Sequence, residues 1–213
     1  MNIVQRNLFR LIRIGAFSTK EMVEPMSTFK WGQLYQLAII NDVTVYVYQG
    51  IQQSEDQFFM RLTDSQREEW NKRMQAGEHP SDEERSENEF LRADHLTNPL
   101  LNKRLQGILD DESSDIWTRQ LLLTILRTSR HILNEGLSVR QLIKLGEYLR
   151  LQGHRVDYIM LEKWLKTLQL QNVAQLEGSL LKELFRFEQD EIPFAKDVNN
   201  KGMANVMQEL IEL

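Results

Sequence analysis

Few side chains in this sequence combine the residue types and spacing that chemistry needs. His131 and Glu135 stand four apart, so one helix face presents an imidazole and a carboxylate that a third ligand would complete into a metal site. A hydrogen bond on or under that helix is the simpler use of the same pair. Asp110-Asp111-Glu112 offers an Asp-x-Glu pair, and Gly178-Ser179 is the one Gly-Ser dyad. Neither is set where chemistry needs it, because no strand pattern precedes Asp110 and Gly178 lies inside a helical apolar pattern. The acidic triplet reads as a solvated helix end ahead of a Ser113-Ser114 cap, and the dyad as a packing feature. Asp190 and Glu191 are adjacent, so in an extended segment they point to opposite faces. His79, His95 and His154 have no second histidine at zinc-ligand spacing, and no serine sits in a nucleophile-elbow pattern. Arg6, Arg10 and Arg13 form a basic stripe on the first helix, read as a solvated face rather than an anion site.

The glycines and aspartates narrow the chemistry further. Ten glycines are spread so that no two lie closer than seven residues, and Asp-x-Asp does not occur. No clustered-glycine phosphate loop and no paired-aspartate metal strand can be written. With no cysteine, a disulfide framework, thiolate catalysis and Cys-ligated zinc are excluded as well.

The elements that position these residues are helical. Val4, Leu8, Leu11 and Ile12 share one face; Trp31, Leu34, Tyr35 and Ala38 fall at i, i+3, i+4 and i+7 behind Ser27 as N-cap. A longer apolar helix follows Ser114 through Leu133, with Gly136 where a C-terminal cap belongs. Ser138 opens the next, with Gln141 three on, and it runs through Leu142, Leu145 and Leu149 to Gly153. Asp157 caps a helix carrying Leu161, Trp164, Leu165 and Leu168, and Val173 to Phe187 supplies another that Pro193 stops. The run Val43-Thr44-Val45-Tyr46-Val47-Tyr48 favours a strand by propensity. With no second alternating segment to pair with it, a short helix starting near Thr44 is expected. The fold class predicted is all-α, an orthogonally packed multi-helix bundle with little or no β-sheet, as a single helical domain over residues 1–213.

Charge is placed unevenly. Residues 64–95 hold ten Asp/Glu against five Lys/Arg, a balance equal to the net charge of −5 of the whole 213-residue chain. Only six hydrophobic residues lie there, so an exposed, acidic helical and loop segment is expected, with proteolysis starting around Gly77 to Glu84. Overall acidity argues against nonspecific nucleic-acid binding. Arginines interrupt every apolar run of the first residues, and no stretch is long enough to span a membrane, so a cytoplasmic protein without membrane association is the simplest expectation. After the polar Lys196 to Gly202, a C-terminal amphipathic helix is expected over residues 197–213, with Met203, Val206, Met207, Leu210 and Ile211 on one stripe. It either completes a core or docks on another subunit.

Two blocks resemble a known family. WGQLYQLAIINDVTVYVYQGI at 31–51 and HILNEGLSVRQLIKLGEYL at 131–149 are similar to the helical parts of an uncharacterised nucleotidyltransferase family, and GSLLKELF to IPF at 178–194 follows in the same order. His131, Glu135, Gly136, Arg140, Gln141 and Leu142 fall in register with that family's pattern, whereas Lys144 stands where it usually carries an aspartate. The chain stops at Leu213, where family members tend to add a Gly-Asn-Phe-Gly ending. The family implies nucleotidyl transfer by a Gly-Ser dyad and a strand bearing two aspartates, which hold magnesium ions and a nucleoside triphosphate. Between the two blocks this sequence carries the acidic segment instead. The expected function is therefore that of a non-catalytic helical scaffold or protein-binding accessory protein, partnered by another protein or its own copy, needing no cofactor and no metal. His131, Glu135, Gly136, Arg140 and Gln141 would hold its central turn. The alternative is a divergent Mg-dependent nucleotidyltransferase with dispersed carboxylates, taking Mg and nucleoside triphosphate.

Overall fold

The computed structural model describes residues 1–57, 62–75, 96, 98–111, 115–134 and 138–195, the side chains of residues 130–134 excepted. Among these residues every regular element is helical and no strand occurs, as the periodicity predicts. No described helix is long and apolar enough to cross a membrane. The described residues fall into two compact units, one up to residue 75 and one from residue 96 on.

In the first unit, α1 (Ile3–Phe17) starts in a reciprocal capping box. Asn2 Oδ1 accepts from the Gln5 N–H at 3.0 Å and Gln5 Oε1 accepts from the Asn2 N–H at 2.8 Å. Its face of Val4, Leu8, Leu11 and Ile12 is buried. The helix ends on Ser18, which adopts a left-handed conformation at φ 53°. α2 (Thr28–Ile40) is capped by Ser27, as its spacing predicts, and buries Trp31, Leu34, Tyr35 and Ala38. α3 (Thr44–Gln53) contains the strand-prone run. It is a helix in which Thr44, Val47 and Ile51 make one buried stripe at i, i+3 and i+7, which a strand would split between two faces.

α1 and α3 cross at two glycines. A Cβ on Gly15 would overlap the Tyr46 carbonyl, and one on Gly50 would overlap the Leu11 carbonyl, so the backbones themselves touch. α4 (Asp64–Gln75) buries one residue, Trp70. Tyr35 meets that indole edge-on at 4.8 Å, Tyr48 stacks on it at 6.2 Å, and the Tyr48 hydroxyl bonds Asn71.

In the second unit, α5 (Pro99–Leu109) is capped by Asn98, with Pro99 in the first turn. α6 (Ile116–Asn134) packs on α7 (Val139–Gln152), α8 (Tyr158–Thr167) and α9 (Gln171–Phe185). Leu121, Leu122, Ile125, Leu142, Ile143, Leu145, Leu161 and Leu180 form its fully buried centre. Ser138 and Asp157 cap α7 and α8, as their spacing predicts. The helix expected to run to Phe187 ends at Phe185, because Arg186 turns left-handed at φ 58°, well before Pro193. The chain then folds back along α9, where Ile192 and Ala195 lie so close that Gly178 has no room for a side chain.

Candidate functional site

The residues predicted to carry function are held in different ways. The backbone of His131 lies in the last turn of α6, and its side chain is outside the described residues, as are Glu135 and Gly136. Arg140 and Gln141 are half-buried in the first turn of α7, where the Gln141 N–H donates to Ser138 Oγ at 3.4 Å. Met203, Val206, Met207, Leu210 and Ile211 lie outside the described residues, as does the acidic segment beyond Gln75. Asp110 ends α5, and both it and Asp111 are exposed. Gly178 and Ser179 lie inside α9, where the serine hydroxyl donates to the Gln175 carbonyl at 2.8 Å. Glu191 accepts from Arg150 Nε at 3.0 Å and from the Glu188 N–H at 2.8 Å. Among the described residues no three His, Asp or Glu side chains converge to hold a metal ion.

The basic stripe on α1 is solvated only at Arg6; Arg10 is half-buried and Arg13 buried, and all three are paired. Arg6 holds Glu24 through two bonds of 2.9 Å each, Arg10 reaches the same carboxylate, and Arg13 holds Glu21 at 2.5 and 2.7 Å. The Arg6 hydrogen bond, helped by Arg10, holds the Glu24 carboxyl down at about 2. Asn7 exchanges both amide bonds with the Glu24 backbone, at 2.9 and 3.0 Å. Gln57 accepts from the Val23 N–H at 2.9 Å and donates to the Glu21 carbonyl at 2.8 Å. Side-chain amides of Asn7 and Gln57 thus stitch the connection 18–27 on both edges, satisfying the Glu21 carbonyl, the Val23 N–H and both backbone groups of Glu24 without a sheet. Sequence reasoning missed this because Glu21 and Glu24 meet the arginines only after the chain doubles back.

A second polar cluster joins α6 to α8. Ser113 and Ser114, the expected caps, lie outside the described residues, and Asp115 does the capping. Its Oδ2 accepts from the Thr118 N–H at 2.8 Å and from the Thr118 hydroxyl at 2.7 Å, while Thr118 Oγ1 accepts from the Asp157 N–H at 2.9 Å. Burial works upward on the Asp115 carboxyl, but the Thr118 bonds outweigh it and hold the carboxyl below its ordinary value. The Tyr148 hydroxyl donates to the Trp117 carbonyl at 2.8 Å, and burial together with the negative Asp115 pushes it up to about 12. Arg155 lies over the Trp117 ring at 4.7 Å. Each group in this cluster is engaged in holding two helix starts together. The Asp-x-x-Thr spacing at 115–118 was the available sequence signal.

The feature that remains is the outer face of α2. Its 13 residues, TFKWGQLYQLAII, contain a single charge, Lys30. A helix that is apolar or uncharged all round belongs in a core, whereas a surface helix turns charges to water. Yet Phe29 is 74% exposed and Ile40 62% exposed. With Gln33 and Gln36, also exposed, they occupy an arc of about 60° at 100° per residue. Trp31, Leu34, Tyr35 and Ala38 hold the opposite side rigidly in the core. The result is an uncharged strip about one helix long, with an aromatic at one end, a β-branched residue at the other and two amides between.

The chain matches no protein-family model, no curated protein and no solved structure.

Proposed function

We propose that this chain is a non-catalytic helical scaffold that binds a protein through the outer face of α2. The observation that carries the reading is the uncharged strip of Phe29, Gln33, Gln36 and Ile40 on an otherwise well-buried helix. Water solvates the Phe29 and Ile40 ends of that strip poorly, and a facing protein surface removes both from it while the glutamines supply hydrogen bonds at the centre. In this reading the sequence is a relative of the nucleotidyltransferase family that keeps the helical portion and carries no catalytic insert between its two matching blocks. The clusters at Glu24 and Thr118 support the fold and leave recognition to α2.

Two experiments test this. A photoreactive side chain placed at Gln33 should capture a protein in cells, while the same group at Lys163, exposed on α8, should not; capture at both positions or at neither overturns the reading. A divergent nucleotidyltransferase would instead be stabilised by magnesium and nucleoside triphosphate, by about 2.7 kcal/mol at a hundredfold excess over Kd. A scaffold should give the same unfolding transition with and without them.

A further inference from the structure

The strip on α2 has a property that selects its occupant. Numbered from its centre between Leu34 and Tyr35, it has the same order of residue classes in both directions, apolar, amide, amide, apolar: Phe29 mirrors Ile40, and Gln33 mirrors Gln36. Resting on the binding role of this face, we propose that its partner is a second copy of the chain, with the two α2 helices antiparallel about a two-fold axis at that centre. The phenyl ring of Phe29 then meets Ile40 of the other copy at both ends, and Gln33 meets Gln36 twice in the middle. An isologous interface demands this self-complementarity, in which residue i contacts j and j contacts i.

Charge points the same way. The chain carries a net charge of −5, so two copies repel over most of their surfaces. The strip has no charge, and Lys30, the one charge of α2, is half-buried to its side. Two such strips therefore approach without like-charge repulsion at the contact. A partner chosen by charge would find nothing on the strip to hold. Side-chain amides facing one another satisfy each other, each glutamine supplying both donors and an acceptor.

Size sets the strength. Two phenyl rings, two isoleucines and four glutamines cover on the order of 800 Å² in total, below the ~1,200 Å² of a stable interface. The pairing is accordingly weak and reversible, a dimer that forms as concentration rises.

The absence of cysteine makes the geometry testable without background. In the proposed register residue 29 lies level with residue 40 of the other copy, whereas the two copies of residue 29 are offset by about 16 Å at 1.5 Å per residue. A disulfide requires Cα atoms within about 7 Å. Full-length Phe29→Cys and Ile40→Cys, mixed and oxidised mildly, should give the mixed disulfide dimer, and each variant alone should give none. The mixed dimer keeps one native Phe29–Ile40 contact, so its formation is not defeated by the substitutions. Sedimentation velocity of the wild type should show a concentration-dependent shift towards dimer that Gln36→Glu, a surface change that leaves the core untouched, abolishes. A wild type that stays monomeric with no mixed disulfide overturns the self-pairing, as do disulfides formed equally by the single variants. The photoreactive group at Gln33 separates that failure from failure of the binding role. An adduct with a mass other than twice the chain keeps α2 as a binding face for a different protein, and no adduct removes both.

Discussion

Replacing Glu177 by glutamine should raise the stability of the second unit at neutral pH and flatten its dependence on pH. Glu177 lies on α9 with no solvent exposure, and neither of its carboxyl oxygens has a hydrogen-bond partner. Burial pushes its carboxyl well above the ordinary value, so the folded protein keeps it protonated where the unfolded chain, with a carboxyl near 4.3, has released the proton. Between those two values the unfolded state binds fewer protons, and stability falls as pH rises, by about 1.4 kcal/mol per pH unit. The contribution is absent below about pH 4.3 and stops growing once pH passes the raised folded value. Glutamine has nearly the same shape and cannot ionise, so the slope should vanish while the neutral packing is retained. Urea unfolding followed by circular dichroism at pH 5, 6 and 7 reads this directly, since at constant m a midpoint that falls with pH in the wild type and not in Glu177→Gln isolates the carboxyl's contribution to stability. Parallel pH profiles for Glu177→Gln and the wild type would show that the carboxyl ionises in the folded state and would refute its isolation.

Further perturbations probe the rest of the fold. Acid should weaken the first unit through Glu24, whose carboxyl is held at about 2 by Arg6 and Arg10; that stability is present above the unfolded value near 4.3 and lost as pH falls towards 2, which Glu24→Gln should remove. Gly50→Ala should cost at least ~2 kcal/mol in thermal or urea unfolding, because its Cβ would meet the Leu11 backbone. Gly107→Ala, with open space at its Cβ inside α5, should instead gain roughly 0.5 to 1 kcal/mol in the same assay. Leu142→Ala, fully buried on α7, should cost about 2 to 5 kcal/mol, and a melting temperature equal to the wild type would remove Leu142 from the core.

Much of the helical frame was legible because its signals are local. Ser27, Ser138 and Asp157 each accept from the N–H three residues on, and that spacing is visible in the sequence. The Val43 to Tyr48 run was legible only by elimination. Its residues prefer strands, but the sequence offers no second alternating segment to pair with, and Thr44, Val47 and Ile51 are buried together at i, i+3 and i+7, the spacing of a helix face. What escaped depends on distant residues. Gly15 and Gly50 become a backbone crossing only when α1 and α3 meet, and nothing within either helix announces it. Arg186 ends α9 in a left-handed conformation that its residue type does not favour, because the following segment packs back on Gly178. The candidate site was partly visible. The spacing of Trp31, Leu34, Tyr35 and Ala38 announces only the buried side of α2; the signal for its other side is one charge in 13 residues, unusual for a surface helix.

The most direct test of α2 as the binding face is a scan of photo-cross-linking yield in the full-length chain. The reactive group would be moved through Gln33 and Gln36 on the strip, then to Gln49 on α3 and Lys163 on α8, all four exposed. High yield at Gln33 and Gln36, little at Gln49 and Lys163, and loss of the Gln33 adduct on adding Phe29→Glu are the expected results. Equal yields at all four positions, or an adduct indifferent to Phe29→Glu, would contradict a recognition role for the uncharged face of α2.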